Sequence, residues 1–101
     1  MTNITLSEKQ LRFLRGRAHA LKPVIQIGQH GLTPAVTAET VRALSDHELI
    51  KVRVQAGDRE ARDSAIASLA EQTASALVQR IGHVAVLYRR HAQLPRILLP
   101  D

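Results

Sequence analysis

Two glycines separated by two polar residues form the first group in this sequence whose types and spacing suit chemistry. Gly28 and Gly31 enclose Gln29 and His30, in a chain with five glycines among 101 residues. One glycine is enough for a turn, whereas a pair lets the backbone approach a ligand and exposes its N–H groups without Cβ obstruction. A helix that begins directly afterwards adds free N–H groups and a positive dipole end. The spacing is typical of a loop that contacts a sugar–phosphate backbone.

Cationic side chains flank this loop in a regular pattern. Before it, Arg12, Arg15, His19 and Lys22 recur at helical spacing and would form a stripe along one edge of a helix. After it, two cations alternate with the apolar residues of "ELIKVRVQ", as on one face of a strand. Rows of cationic side chains are often simply exposed to solvent and bind nothing. They indicate a binding site here because they occur together with the glycine loop. The residues predicted to make this sugar–phosphate contact are Arg12, Arg15, His19, Lys22, Gly28, Gln29, His30, Gly31, Lys51 and Arg53.

Motifs of common enzyme classes are missing from the sequence. A P-loop needs four residues between its glycines and then Lys-Ser or Lys-Thr, and "GQHGLT" has neither. There is no GxGxxG, the five histidines include no HxxxH pair, and "HELIK" has Lys51 where a zinc protease has its second histidine. His47 and Glu48 would suit an acid–base pair, but their place at a helix-to-strand turn favours a surface role. We expect no catalytic residue, no metal and no cofactor.

The elements that position these residues can be predicted from capping and periodicity. Ser7 and Gln10 have capping-box spacing, which predicts a helix from about Glu8 that Pro23 ends. "VIQI" at 24–27 is typical of a strand, and Thr33 with Pro34 predicts a second helix that runs to about residue 45. "ELIKVRVQ" at 48–55 alternates as a strand does, and the aspartate at 58 is placed to cap a third helix.

The last quarter of the chain is less regular. "SALVQRIGH" suits either an extension of the third helix or a strand, while "VAVLYRR" from residue 84 is apolar on both faces, as central strands are. "LPRILLP" is predicted to be a short strand antiparallel to it, started by Pro95. The expected fold class is α+β (mixed α/β), with the order α-β-α-β-α-β-β and an open mixed four-stranded sheet. Its first β-α-β unit should have parallel strands.

The composition limits the kinds of molecule that this protein is expected to bind. The length suits one domain over residues 1–101, and 45% hydrophobic residues suit a globular core. The lack of cysteine fits a reducing cytoplasm, and no run approaches the ~18 apolar residues of a membrane helix. With 14 Lys and Arg against 9 acidic residues, the net charge of +5 favours polyanions.

The low aromatic content bears on which nucleic acid is bound. The aromatic residues are Phe13 and Tyr88, and proteins that bind unpaired bases usually stack them on aromatic side chains. Tyr88 lies in the predicted central strand and is expected in the core, whereas Phe13 falls off the apolar stripe and is expected to be exposed. Binding to phosphates of structured RNA is therefore favoured over stacking of unpaired bases.

Longer segments resemble a known family. "AHALKPVIQIGQHGLT" and "HELIKV", followed in order by "DREAR", "VQRIG", "VLYRR" and "ILLP", are similar to the CRM domain (chloroplast RNA splicing and ribosome maturation) in its stand-alone, bacterial YhbY-like form. The resemblance implies a fold like the C-terminal domain of a bacterial translation initiation factor. It also implies a GxxG loop that contacts RNA as in KH domains, and a role with precursors of the large (50S) ribosomal subunit. Many relatives carry a basic or small polar residue where this loop has Gln29 and His30.

The predicted function is non-catalytic binding of structured rRNA during assembly of the large subunit. The expected partner is RNA, with no membrane and no small-molecule substrate, for a cytoplasmic monomer. Alternatives are a basic module that docks on an acidic ribosomal protein, a KH-like binder of single-stranded RNA, and a binder of double-stranded DNA. No recognition helix after a turn supports the last of these.

Overall fold

In the described part of the chain, three helices and four strands follow one another in the predicted order α-β-α-β-α-β-β. The computed structural model describes residues 5–55 and 57–101. The elements are α1 (Glu8–Ala18), β1 (Pro23–Ile27), α2 (Pro34–His47), β2 (Leu49–Val54), α3 (Arg59–Gln72), β3 (Ala76–Ile81) and β4 (Val84–Tyr88). Within the described ranges, no helix has the length and apolar character that crossing a membrane requires.

Each helix begins at the capping residue that the sequence predicts. Ser7, Thr33 and Asp58 have extended backbones, and each side chain accepts the N–H of the residue three positions later. At α1 the capping box is complete, since the Ser7 N–H also donates to Gln10 Oε1 at 3.0 Å. These bonds satisfy N–H groups that the helical pattern leaves free, so they fix where each helix starts.

The sheet has the strand order β1-β2-β4-β3. β1 and β2 are parallel, which confirms the predicted β-α-β unit, and the other two pairs are antiparallel. β4 lies between β2 and β3 and is central as predicted. The ambiguous stretch "SALVQRIGH" supplies β3, which joins β4 through Gly82 and His83; Gly82 has a φ of +58°, which suits such a tight turn.

The prediction that "LPRILLP" forms the last strand is wrong. β3 and β4 form the antiparallel pair at the end of the sheet, and residues 94–100 form no strand. Their backbone N–H groups are used elsewhere: those of Arg96 and Ile97 donate to the carboxylate of Glu48, each at 2.8 Å. Ile97 is thereby held against the core without joining the sheet.

Apolar clusters cover both faces of the sheet. On one face, α2 and α3 pack through Leu44, Ile66 and Leu69 on residues of β1, β2 and β4. On the other face, α1 packs through Leu14 and Ala18 on β2, β3 and β4, together with Ile97. Among the described residues, two helices cover the first face and one covers the second, so part of the second face remains open.

Candidate nucleic-acid interface

The GxxG loop is a β-turn at the end of β1. The N–H of Gly31 donates to the carbonyl oxygen of Gly28 at 3.0 Å, which closes the four-residue turn. Gly31 has a φ of +73°, a conformation that glycine adopts with little strain. In the parts of the chain that are described, the backbone N–H groups of Gln29 and His30 have no protein acceptor, and both residues are exposed. The loop therefore offers two free N–H donors at its tip.

Gly28 has no conformational reason to be glycine. Its φ lies outside the left-handed region, and a Cβ built on it would meet no atom within 4 Å. Neither backbone strain nor packing inside the protein excludes a side chain there. What a side chain would obstruct is the approach of a molecule from outside, which supports the interpretation of the loop as a contact site.

A row of side chains beside the loop crosses the open part of the sheet. Ile25, Ile27, Val52 and Val54 face α2 and α3, so the residues that alternate with them face the opposite side. The strand register places those residues in one line across the sheet, one from each strand. The line consists of Gln26, Arg53, Val84 and Ile81.

Most of this row is exposed to solvent. Gln26 and Arg53 are exposed, and Ile81 is 68% exposed although it is apolar. Ile27 pairs with Val54 at this end of the sheet, so the GxxG loop begins directly beside the row. The loop and the row thus form one continuous surface, which we call the open sheet face.

The stripe on α1 borders this face. Arg15 and His19 line a cleft together with Lys51, and Gln79 and Val86 form part of its sheet side. Arg12 is exposed one helical turn before Arg15. Arg15 and His19 of the predicted stripe are therefore brought together with Lys51 of β2 by the packing of α1 on the sheet.

The structure separates Lys22 from the loop. Lys22 precedes β1 and Gly28 follows it, and six residues of extended chain span about 20 Å at ~3.3 Å per residue. Lys22 is therefore a predicted binding residue that lies apart from the loop itself. Lys22 instead lines a cleft at the opposite end of β1, together with Arg17, His47 and Arg96.

The cations of this surface are free of protein carboxylates. Among residues 5–55 and 57–101 the ion pair that forms is Arg80 with Asp63, which joins β3 to α3. None of the predicted site cations takes part in it. Cations that have no carboxylate partner, next to free N–H donors, give a surface suited to an anion. Because these cations lie on both α1 and β2, the surface suits an extended polyanion better than a small anion.

Three residues of the open sheet face were not predicted as site residues. Gln26, Val84 and Ile81 carry no charge and match no motif, so the sequence offered no signal for them. They are found through strand register, which aligns Gln26 with Arg53 across β1 and β2 and aligns Val84 and Ile81 with Arg53 through β4 and β3. The placement of Phe13 was also predicted wrongly: it is half-buried against the α1 cluster, with the Arg17 guanidinium 5.9 Å from its ring centre.

Glu48 is a structural residue and not the surface residue that its position in a turn suggested. It is 1% exposed, and its carboxylate accepts N–H groups from His91 at 2.7 Å and from Arg96 and Ile97. Burial raises the pKa of Glu48, but these three donors, with the charge of His91, lower it further, so the net pKa lies below the ordinary value of 4.5. The carboxylate anchors the C-terminal segment and is not available as a general base.

The arrangement can bind anions but has no grouping suited to metal chemistry. Within the described part of the chain, no three His, Asp or Glu side chains are placed to hold a metal ion. The predicted core position of Tyr88 is confirmed at 1% exposure. Backbone donors, cations and a small apolar area are what the open sheet face offers.

Comparison with known proteins identifies the family. The CRS1/YhbY (CRM) domain model matches residues 6–89. A Haemophilus influenzae protein named "RNA-binding protein" is 50% identical over 96 residues, covering 91% of this chain and 97% of that protein. YqeI of Bacillus subtilis, named a probable RNA-binding protein, is 38% identical over 95 residues, covering 94% of this chain and 99% of YqeI.

A solved structure shares the fold. The solution structure of a hypothetical Staphylococcus aureus protein, described as a candidate RNA-binding protein, matches with a TM-score of 0.82 at 36% identity. The match covers 95% of this chain and 100% of that one. The sequence match across 84 residues and the shared fold agree, and the chain belongs to the CRS1/YhbY (CRM) domain family.

Proposed function

We propose that this protein binds structured RNA through the GxxG loop and the open sheet face. The observation that carries the proposal is the continuity of this surface: the turn with the free N–H groups follows directly on β1, where Gln26 pairs with Arg53, and Lys51 lines a cleft with Arg15 of α1. N–H donors and cations bind phosphate oxygens, which lie along the whole RNA backbone. The RNA-binding names of the relatives support RNA as the polyanion.

The positions of the two aromatic residues favour binding of structured RNA over binding of single-stranded RNA. Tyr88 is buried in the core, and Phe13 is half-buried beneath Arg17. Neither ring is free to stack an unpaired base, a contact that contributes roughly 1–3 kcal/mol per base. The contacts that remain are to phosphates and 2′-hydroxyls, which report the shape of a helix and not its sequence.

The RNA is, in this proposal, rRNA of the large ribosomal subunit precursor, and the protein acts as a cytoplasmic monomer without catalysis. The family resemblance supports this assignment. Sedimentation of cell extract in a sucrose gradient tests it: the protein is expected in fractions that hold precursors of the large subunit. A protein found only with free small subunits or with mature ribosomes would contradict the assembly role while leaving RNA binding intact.

RNA binding itself is tested by titration at several salt concentrations. We expect a folded fragment of large-subunit rRNA to bind more tightly than poly-U or poly-A of equal length, with a steep fall of log affinity against log salt. Homopolymers that bind as tightly as the folded fragment would instead indicate a KH-like single-strand role. A shallow salt slope would favour docking on an acidic protein, because few phosphate contacts would then be involved.

A further inference from the structure

A second cleft lies at the end of β1 that is remote from the GxxG loop. It has a volume of about 670 Å³ and is formed where the end of α1, the start of β1, the end of α2 and the C-terminal segment meet. Sites for small molecules have volumes of roughly 300–1,000 Å³. The cleft is therefore large enough for one nucleotide.

The rim of this cleft is cationic. Arg17, Lys22 and Arg96 line it with His47, and no aspartate or glutamate is among its lining residues. The Arg96 guanidinium donates to the carbonyl oxygen of Asp46 in the last turn of α2. That bond covers part of the negative end of the helix dipole, which would otherwise repel an anion.

The remainder of the cleft is apolar and partly open. Leu21 and Val24 lie beside the cations, and Val24 is 54% exposed. An apolar wall next to a cationic rim matches a flat, weakly polar base joined to a phosphate. It matches a phosphate alone poorly, because the apolar wall would have no partner.

We propose that this cleft binds one unpaired nucleotide of the RNA, with its phosphate at Lys22, Arg17 and Arg96 and its base against Leu21 and Val24. The inference rests on the proposed function and adds a second contact to it. A single unpaired nucleotide within a folded RNA needs no aromatic platform for a run of bases, so it agrees with the preference for structured RNA.

Continuity with the open sheet face favours a nucleotide over an acidic peptide. Val24 lines the cleft, and Gln26 of the open sheet face follows it two residues later on β1, so the cleft and the open sheet face share one strand. Arg15 and Arg17 likewise connect the two sites through α1. An RNA that lies along β1 would reach both.

A direct test uses uridine monophosphate as the probe, with the protein labelled for amide NMR. We expect saturable shifts at the amides of Leu21, Lys22 and Val24 that Val24→Glu abolishes by placing a negative charge in the cleft. The matched control is Leu77→Glu, which adds the same charge at a 44% exposed apolar residue on the opposite edge strand. Equal shifts with inorganic phosphate would mean an anion site only and would overturn the proposal, as would shifts with hexaglutamate but none with the nucleotide.

A second test uses two RNA hairpins that differ by one bulged uridine. We expect the unmodified protein to bind the bulged hairpin about 5- to 10-fold more tightly, which corresponds to about 1–1.4 kcal/mol. Val24→Glu and Lys22→Ala should lose this preference, whereas Leu77→Glu and Arg90→Ala should keep it. Circular dichroism establishes that each variant is folded.

The two proposals fail in different ways. Hairpins that bind equally well to the unmodified protein and to all four variants would overturn the nucleotide cleft and leave RNA binding intact. Binding of uridine monophosphate in the cleft, without binding of any folded RNA, would support the cleft and overturn the proposed function.

Discussion

At the scale of single residues, the two glycines of the loop have different reasons to be glycine. Gly31 has a φ of +73° and closes the turn through its N–H, so its role is conformational. Gly28 has an ordinary φ and open space around it. A substitution of Gly28 therefore tests contact with a ligand without straining the backbone, whereas a substitution of Gly31 affects the fold of the turn as well.

Replacing Gly28 by Ala is expected to weaken RNA binding without loss of stability. Since the backbone accepts alanine without strain, the free energy of unfolding should stay equal or rise by up to ~1 kcal/mol. The added methyl group should lower RNA affinity by about 5-fold, corresponding to ~1 kcal/mol. Gly31→Ala is the comparison, since its φ should cost about 1 kcal/mol of stability. Unchanged RNA affinity in Gly28→Ala would reduce the loop to a simple turn.

Glu48 is the second residue whose environment gives a sharp prediction. Because its folded pKa is below the ordinary value of 4.5, the carboxylate contributes stability that is complete above that value. The contribution is lost as the pH falls through the lower, folded pKa. The free energy of unfolding should therefore decline below about pH 5.

Glu48→Gln should remove this part of the pH dependence. A glutamine can keep its oxygen toward the N–H groups of Arg96 and Ile97, but its NH2 group then faces the N–H of His91 and the negative charge is lost, so the cost at pH 7 is expected to be about 2–3 kcal/mol. Urea unfolding at pH 7 and pH 4 measures both effects, with the exposed Glu39→Gln as control. A variant with the same stability and pH profile as the unmodified protein would show that the carboxylate does not anchor residues 91–97.

At the scale of elements, the incomplete cover of one sheet face creates the candidate site. α1 contributes its apolar side to the core and its cationic side to the border of the open sheet face. Arg15 and Arg53 come from different elements and are brought to one surface by this packing. Phosphate contacts from both should add independently in the salt dependence of binding.

The double variant Arg15→Ala/Arg53→Ala is expected to flatten the salt slope by about 1.5 units, since each phosphate contact contributes ~0.7–0.9. Affinity should fall similarly for RNAs of different sequence, because phosphates carry no base information. Arg42→Ala/Arg90→Ala removes the same charge from exposed positions outside the open sheet face. Equal slopes for the two double variants would assign Arg15 and Arg53 to solvent.

At the scale of the whole molecule, the C-terminal segment completes the α1 side of the core. The family match ends at residue 89, yet three N–H donors to Glu48 and the buried Ile97 come after it. Gln10 on α1 also donates its side-chain N–H to the carbonyl oxygen of Pro100 at 3.0 Å. The segment thereby ties α1 to the turn between α2 and β2.

A chain ending at residue 89 is expected to be less stable by at least about 3 kcal/mol, because it leaves a buried carboxylate without its donors. In this shortened chain Glu48→Gln should stabilise the protein, whereas in the full chain it should destabilise it. Denaturant unfolding of the four proteins gives a double-mutant cycle. Additive effects of the two changes would contradict the coupling between Glu48 and the segment.

Local signals determined much of this fold in advance. The capping residues Ser7, Thr33 and Asp58, the alternation in "ELIKVRVQ" and the glycine pair act over a few residues, and the structure has the corresponding helix starts, strand and turn. Such features follow from hydrogen bonds and side-chain direction within a single element, which is why sequence spacing reveals them.

Contacts between residues far apart in the sequence determined the remaining features of the fold and of the candidate site. The open sheet face exists because register aligns Gln26, Arg53, Val84 and Ile81 from four strands, and no local pattern encodes that alignment. Residues 94–100 have strand-like composition, but the N–H groups of Arg96 and Ile97 bond to the carboxylate of Glu48, more than forty residues earlier, and the segment lies outside the sheet. A buried charge requires hydrogen-bond partners, and only the tertiary structure determines which backbone supplies them.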